Sequence, residues 1–584
     1  MPLSVPELAK RKAFLERCVL SASGLRFIHS GDEDDASAEV CDEAKLFVLC
    51  ALESFLIKGN LQGKVEIWLG RDSRPSGPFL LNLAEHFLRS KGVRVRKMGL
   101  GPIPEVMAAT HQGGAQAFVY FTASHNPKGH NGLKLGLADG AVLPKALAGP
   151  MIDLCKEIFL NDERSDAIWK LWNDGDREVS EKEQKDESLS FYTKFSLSTV
   201  CPEDPEHFLK RLSSGWGGGE TPLFLIDMNG SSRLTSVDVD FLRMAGLEVE
   251  LMGDQPGIFN HAIIPEGASL EPLRKKMQEH LDSGRRVLGG MVPDCDGDRG
   301  NLILPIGGQA TPLKAQETFS LCVLAELATR RVQGDQSKMA LVVNGPTSLR
   351  IDHMLNPFQI EVRRAEVGEA NVLGLARNLR AQGLSVPLSG EGSNGGNILH
   401  PSTVRDPLMT ILSLLKYVAL PVNGNQTGVE LQLKRANLDP CMALEKIFES
   451  MPNWISTDAF EGEALMPVPP VDHETLKCGY EEVLLSHFNS ELDFWGKKGI
   501  KDLRFVSNDG TENISGPGGR PKDSKGGLQV FLEDESGNDI GFLWMRGSGT
   551  EPVFRVMVDW SGPQEAYEEL LALHRSLIER AISG

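Results

Sequence analysis

The sequence reads as an α/β protein in which one unit recurs three times before a smaller α+β domain closes the chain. Two observations predict this: a β-α-β pattern that repeats, and its disappearance beyond about residue 460. Residues 66–99, 223–253 and 340–368 each open on a short apolar run that suits a buried strand. A polar turn then leads into helix-spaced apolar residues. A second strand, alternating Val, Leu or Ile with charge, closes on Gly99, Gly253 or Gly368. The spacing is too wide for a solenoid, so the units are read as cores of three similar domains, although any large α/β chain shows several β-α-β units. In the last stretch, a strand pair in LQVFLEDESGNDIGFLWM precedes an amphipathic helix in PQEAYEELLALHRSLIERAI. Length agrees, because 584 residues exceed one hydrophobic core and predict about four domains. We place them at 1–206, 207–308, 309–460 and 461–584. Two segments read as insertions: 160–205, charged and at the surface, and 508–527, loop chemistry throughout.

The 61 Lys and Arg against 80 Asp and Glu give a net charge of −19, which repels phosphate backbones and excludes a nucleic-acid partner. A substrate phosphate then needs a local basic pocket. Nine cysteines with no CxxC pair read as reduced thiols. No stretch approaches the roughly 18 uncharged apolar residues of a bilayer span, so no membrane partner is expected. The first 20 residues carry charge in every apolar window, which predicts an amphipathic helix and not a signal peptide. Cytoplasm is the expected compartment, and the oligomeric state is left open.

Each repeat delivers an unusual polar loop after a further strand-like run. Ser124 follows AFVYF, Asp294 follows VLGGMVP and Glu391 follows LSVPL. Ligand groups collect at the carboxyl ends of strands in α/β sheets, so the loops are candidates for one cleft. The first, Thr122-Ala123-Ser124-His125-Asn126-Pro127, would hold a serine on a tight, exposed turn, as a nucleophile needs; a plain Ser/Asn turn has the same residues. GxSxG and SxxK are absent around Ser124, against the common serine hydrolases. In the second, alternation along an extended surface loop would turn Asp294, Asp296 and Asp298 to one point and Cys295 and Gly297 away. Three carboxylates that close need a cation, and hard oxygen ligands favour Mg²⁺ or Ca²⁺; a solvated acidic turn is the alternative. An EF-hand is excluded, because its sixth and twelfth positions hold Arg299 and Pro305. In the third, Glu391 and Ser393 would lie on one side of a glycine-rich loop and accept from sugar hydroxyls; a plain glycine-rich turn has the same residues. The fourth, Arg546-Gly547-Ser548-Gly549-Thr550-Glu551-Pro552 with Arg555 beyond, is a phosphate cradle without a Walker lysine.

Together the loops TASHNP, DCDGDR, GEGSNG and RGSGTEP, in this order, resemble those of the α-D-phosphohexomutases, the phosphoglucomutases and phosphomannomutases. Ser21–Arg26 and Gly70–Pro75 resemble two further turns of that family, so the likeness runs from residue 21 to about 556. The resemblance implies three α/β domains with mixed sheets and a C-terminal α+β domain around a central cleft. It implies a phosphoryl group on Ser124, and Mg²⁺ held by Asp294, Asp296, Asp298 and that phosphoserine. His125 and Lys134 would transfer protons and Arg26 would steady the phosphoryl group. Arg299, Glu391, Ser393 and Asn394 would bind substrate, with Arg546, Ser548, Gly549, Thr550 and Arg555 on the phosphate that does not react. The implied reaction interconverts glucose 1-phosphate and glucose 6-phosphate through glucose 1,6-bisphosphate. Phosphomannomutase or dual specificity is the alternative; a phosphopentomutase, a sugar-bisphosphate synthase and a sugar-phosphate sensor stay open behind it. The chain departs from the family where Gly395 replaces a histidine and Asn394 a phenylalanine, and where Ala365-Glu366-Val367 stands for Thr-Lys-Val. Gly392 and Gly395 together would permit a roomier sugar loop.

Overall fold

The computed structural model describes residues 4–35, 37–61, 65–174, 183–459, 461–469, 471–519, 526–547 and 553–583. They form two compact bodies. The first holds the residues up to Pro312 with Ile398–Leu415 and Asp439–Cys441; the second holds Leu313–Asn397, Lys416–Leu438 and Met442–Gly584.

The first body contains two sheets. Strands β1 (Val19–Ser21), β2 (Gly24–Ile28), β3 (Glu66–Arg71), β4 (Arg94–Leu100), β5 (Ala117–Phe121) and β6 (His130–Leu137) stand in the order β1-β2-β6-β5-β3-β4. Strands β7 (Leu223–Asp227), β8 (Glu248–Met252), β9 (Val287–Pro293), β10 (Gly300–Ile306) and β11 (Gln309–Pro312) stand in the order β11-β10-β9-β7-β8. Strands β12 (Ala340–Asn344), β13 (Glu361–Ala365), β14 (Leu388–Glu391) and β15 (Gly396–Leu399) stand in the order β13-β12-β14-β15. The three sheets repeat one topology. The opening strand of each unit, β3, β7 or β12, lies between two parallel neighbours. The next strand returns beside the third. The expected repeat is therefore a repeat of fold. Its opening strands β7 and β12 are buried along their whole length, as apolar runs covered on both faces must be.

A short hairpin, β16 (Pro421–Asn423) and β17 (Gln426–Thr427), precedes the last sheet. That sheet is built from β18 (Ile455–Ser456), β19 (Leu465–Pro467), β20 (Asp502–Asp509), β21 (Glu512–Ser515), β22 (Leu528–Glu533), β23 (Asp539–Gly547) and β24 (Val553–Trp560). The expected strand pair is β22 and β23, and the expected final helix spans Gln564–Ser583.

Several expectations need correction. β11 pairs with β10 and β18 pairs with β24, so boundaries at 308 and 460 would cut two sheets; we propose boundaries after Pro312 and before Ile455. Residues 508–527 are not loop throughout, because β20 and β21 form a hairpin there; residues 520–525 lie outside the described set. The 160–205 insertion is not merely a charged surface. Trp169 and Trp172 of its helix Asp162–Asp174 enter the core of the first sheet, and helix Lys185–Val200 buries Tyr192, Phe195 and Val200. Charge on the outer face of these helices hid the apolar stripe on the inner one.

A histidine is buried in the core behind the last sheet. His574 is fully buried; its Nε2–H donates to the Trp544 carbonyl at 3.1 Å and its Nδ1 accepts from the Tyr480 hydroxyl at 2.7 Å. Burial pulls it from an ordinary pKa of 6.5 down to about 4. Between those values the unfolded chain binds a proton that the folded chain refuses, so stability falls as pH drops through that window. Urea unfolding at about pH 7 and about pH 4.5 should show His574→Gln losing about 2 kcal/mol less than wild type. Equal losses in the two proteins would remove His574 from the acid response.

Candidate active site

Ser124 sits at the end of β5 in a left-handed turn, φ +53°, with its N–H donating to Thr122 Oγ1 at 2.7 Å. A non-glycine residue in that region needs external support. Arg74, in the first loop of the repeat, supplies it. Its guanidinium donates to the carbonyls of Ser124 at 2.7 Å, Asn126 at 2.7 Å, Pro127 at 2.6 Å and His130 at 3.0 Å. Asp72 holds it from behind at 3.2 Å, and both side chains are fully buried. Ser124 itself is only 2% exposed, so the turn is tight but not exposed as expected.

The aspartate loop meets this turn inside the first body. The carboxylate oxygens of Asp294, Asp296 and Asp298 lie within 4.8 Å of one another and all three residues are buried. The loop is neither extended nor on the surface: Gly297 bends it at φ +71°, where a Cβ would strike Arg233 and Pro102 at 2.8 Å. Cys295 does turn away, against Ser73, Phe259 and Ile263. The first loop of the second repeat grips it from below. Ser231 Oγ donates to the Asp294 carbonyl at 2.6 Å, and Ser232 Oγ to the Cys295 carbonyl at 2.8 Å.

Cations surround the triad. Strand register, with Lys134 opposite Tyr120, brings Lys134 Nζ to 2.7 Å from Asp296 and 2.8 Å from Asp298. Arg299 Nε donates to Asp294 at 3.1 Å, while its Nη2 reaches Ser124 Oγ at 3.3 Å and His125 Nδ1. Guanidinium can only donate, so His125 accepts at Nδ1, which stands 3.4 Å from Ser124 Oγ. Arg405, which sequence reasoning passed over, reaches Asp298 at 2.7 Å. Arg26 lies in β2 opposite Gly132; burial pulls its pKa down, and the nearby Asp296 and Asp298 work against that pull. Burial raises the carboxyls of Asp294 and Asp298 alike. Asp294, facing the other two, is pushed well above the usual range, whereas Arg405, Lys134 and Arg299 hold Asp298 well below it. Burial works against the Lys134 ammonium, but Asp296 and Asp298 outweigh it and push it up to about 12. Asp296 Oδ1 and Asp298 Oδ1 are buried without a hydrogen-bond partner among the described residues. Two orphaned carboxylate oxygens and a third carboxylate within reach fit a hard divalent cation such as Mg²⁺.

The third and fourth loops belong to the second body. Glu391 Oε1 accepts from the Gly368 N–H at 2.8 Å and from Asn344 Nδ2 at 3.2 Å; its Oε2 accepts from Asn394 Nδ2 at 3.2 Å. Asn344 also donates to Ser393 Oγ at 2.8 Å, which sets both side chains. Gly392 leaves no extra room for a sugar: a Cβ there would strike Gln316 and Thr347 at 2.7 Å, so that support for a roomier loop fails. Arg546 and Arg555 stand directly opposite on β23 and β24, like charges that repel in the absence of an anion. Glu366 Oε1 accepts from Arg546 Nη2 at 3.3 Å, so a carboxylate on Arg546 stands where the resemblance led to a lysine. Arg555 donates to the Ala459 carbonyl. Ser548, Gly549 and Thr550 lie outside the described residues.

One device recurs. The loop after the opening strand of each repeat supports the loop after the third: Arg74 the serine turn, Ser231 and Ser232 the aspartate loop, and Thr347 Oγ1 the N–H of Gly392 at 3.0 Å. The polar runs RDSRP, NGSSR and GPTSLR carried this signal in the sequence.

Residues 38–158 match the α/β/α domain I of phosphoglucomutases and phosphomannomutases, and residues 318–434 match their domain III. A phosphoglucosamine mutase of Frankia casuarinae is 28% identical over 362 residues, 61% of this chain and 69% of that protein. A phosphoglucomutase/phosphomannomutase of Thermococcus kodakarensis is 23% identical over 558 residues, 94% and 97% of the two chains. Two solved structures share the fold. A phosphoglucomutase/phosphomannomutase family protein of Burkholderia thailandensis has a TM-score of 0.61 at 18% identity, covering 97% of this chain and 99% of that one. The Paramecium phosphoprotein pp63/parafusin, a phosphoglucomutase, has a TM-score of 0.63 at 15% identity, covering 96% and 94%. A serine turn beside an acidic triad on this repeated fold defines an intramolecular phosphotransferase of the isomerase class. The chain carries domains I and III of the phosphoglucomutase/phosphomannomutase family. No described helix is long and apolar enough to cross a membrane.

Proposed function

We propose that this phosphohexomutase interconverts glucose 1-phosphate and glucose 6-phosphate through phosphorylated Ser124. The observation that carries the reading is Ser124 Oγ beside Arg299, whose other edge holds the first aspartate of the triad. Asp294, Asp296 and Asp298, with the phosphoserine, would hold Mg²⁺, which supplies charge neutralisation at the transferring phosphoryl oxygens. Lys134 and Arg26 add fixed positive charge. Lys134 lies against Asp296 and Asp298, which favour its charged form. His125 and Lys134 would move the proton of the attacking sugar hydroxyl. In the first transfer the Ser124 Oγ–P bond breaks and a bond from phosphorus to the sugar 6-oxygen forms. The bisphosphate then reverses, and its 1-phosphoryl group returns to Ser124 Oγ. Glu391 and Ser393 would accept from sugar hydroxyls, and Asn394 and Arg299 would also bind substrate. Arg546 and Arg555, with Ser548, Gly549 and Thr550, would hold the phosphate at rest.

A second reading has one observation behind it. Glu366 adds a buried carboxylate two residues from the amide that holds Glu391, which favours a sugar bearing an ammonium group, and relatives named phosphoglucosamine mutase fit that chemistry. Purified protein assayed with Mg²⁺ and a trace of glucose 1,6-bisphosphate should convert glucose 1-phosphate, and Ser124→Ala should not. Faster conversion of glucosamine 1-phosphate would establish the second reading. Activity surviving in Ser124→Ala would sink both.

A further inference from the structure

Helix Lys185–Val200 belongs to an insertion, yet its inner face is wired to the aspartate loop. Lys185 Nζ and Ser188 Oγ dock it on the fully buried Glu105 of helix Ile103–Gly113, at 2.7 Å and 2.5 Å. One turn further, the buried Tyr192 donates its hydroxyl hydrogen to Asp406 Oδ2 at 2.8 Å and accepts from Arg233 Nη1 at 3.4 Å. Arg233 is itself fully buried. Its Nε and Nη2 donate to the carbonyl of Gly297 at 2.9 Å and 2.6 Å; Nη2 also reaches Asp406 Oδ1 at 2.6 Å and Nη1 reaches Asp238 Oδ1 at 2.8 Å. With Tyr192 counted, all five guanidinium N–H groups have acceptors, so the fork has one orientation. Gly297 stands between Asp296 and Asp298. The neighbour of Asp406 in sequence, Arg405, reaches Asp298 directly at 2.7 Å.

We propose that Tyr192 is a positioning residue for the metal loop, acting through Arg233 on the Gly297 carbonyl and through Asp406 on the segment that carries Arg405. The proposal rests on the phosphotransferase reading given above. Without the Tyr192 hydroxyl, one Arg233 N–H and one Asp406 oxygen lose their partners in a buried site, and the clamp on Gly297 is no longer held in one pose. The insertion then serves the family reaction as a brace that keeps Asp296 and Asp298 at ligand spacing.

The test is Tyr192→Phe, which keeps the ring and removes only the hydroxyl, with Mn²⁺ binding followed by electron paramagnetic resonance in the absence of substrate. Binding should weaken about tenfold, on the scale of one hydrogen bond to a charged group. In turnover, kcat should fall at low Mg²⁺ and recover at high Mg²⁺, with KM for the sugar phosphate unchanged. Asp406→Asn supplies a second arm, and its effect on Mn²⁺ affinity should be non-additive with that of Tyr192→Phe in the double variant. Unchanged Mn²⁺ affinity in Tyr192→Phe, with only a lowered Tm, would reduce Tyr192 to core packing and overturn the proposal alone. Wild-type protein that binds no Mn²⁺ would overturn the metal reading itself, and this proposal with it.

Discussion

Asp296→Ala should lose turnover by about a thousandfold, the several kcal/mol that a bound cation contributes to phosphoryl transfer, without unfolding the protein. Asp296 is fully buried, with Oδ2 on Lys134 at 2.7 Å and Oδ1 orphaned. The triad does not lie on a surface loop, so tolerance of the change must come from charge. Lys134 keeps Asp298 at 2.8 Å, and removal of one of three crowded carboxylates relieves their mutual repulsion. The Tm without Mg²⁺ should therefore equal or exceed that of wild type. Added Mg²⁺ should raise the Tm of wild type and leave that of Asp296→Ala where it was. A variant that turns over without Mg²⁺ would end the assignment of the triad to a metal.

Arg74→Ala should destabilise the first body by about 3–5 kcal/mol, because it strips the partner from the fully buried Asp72. Burial already raises Asp72 above the usual carboxyl range even with Arg74 beside it. The same change frees the carbonyls of Ser124, Asn126, Pro127 and His130 and leaves the left-handed Ser124 turn without its clamp. Phosphate incorporation at Ser124, read by mass spectrometry after incubation with glucose 1,6-bisphosphate, should fall with it. Arg74→Lys would keep the charge but lose the planar fork, so it should recover part of the stability and little of the incorporation. An Arg74→Ala protein with wild-type Tm and full incorporation would mean that the turn holds itself.

Both expectations rest on contacts that the sequence conceals. Much was legible in it: the three β-α-β units, the strand pair and helix that end the chain, and the polar loops that follow β5, β9 and β14. These are written in local patterns, since a strand covered on both faces is apolar throughout and a loop that must carry charge interrupts it. Burial and partners were not legible. The 160–205 insertion showed its charged face, and only packing revealed Tyr192 and Trp169 inside. Gly392 looked like room for a sugar until Gln316 and Thr347 filled it. Arg74 meets residues about fifty positions on, Lys134 meets Asp296, and Arg405 meets Asp298. Period and composition act over a few residues, whereas these pairs exist only because strand register and sheet order bring distant segments together. The sequence by itself determined the repeated fold and the chemical types in its loops; the tertiary structure alone decided which charges face one another and which glycine is space already taken.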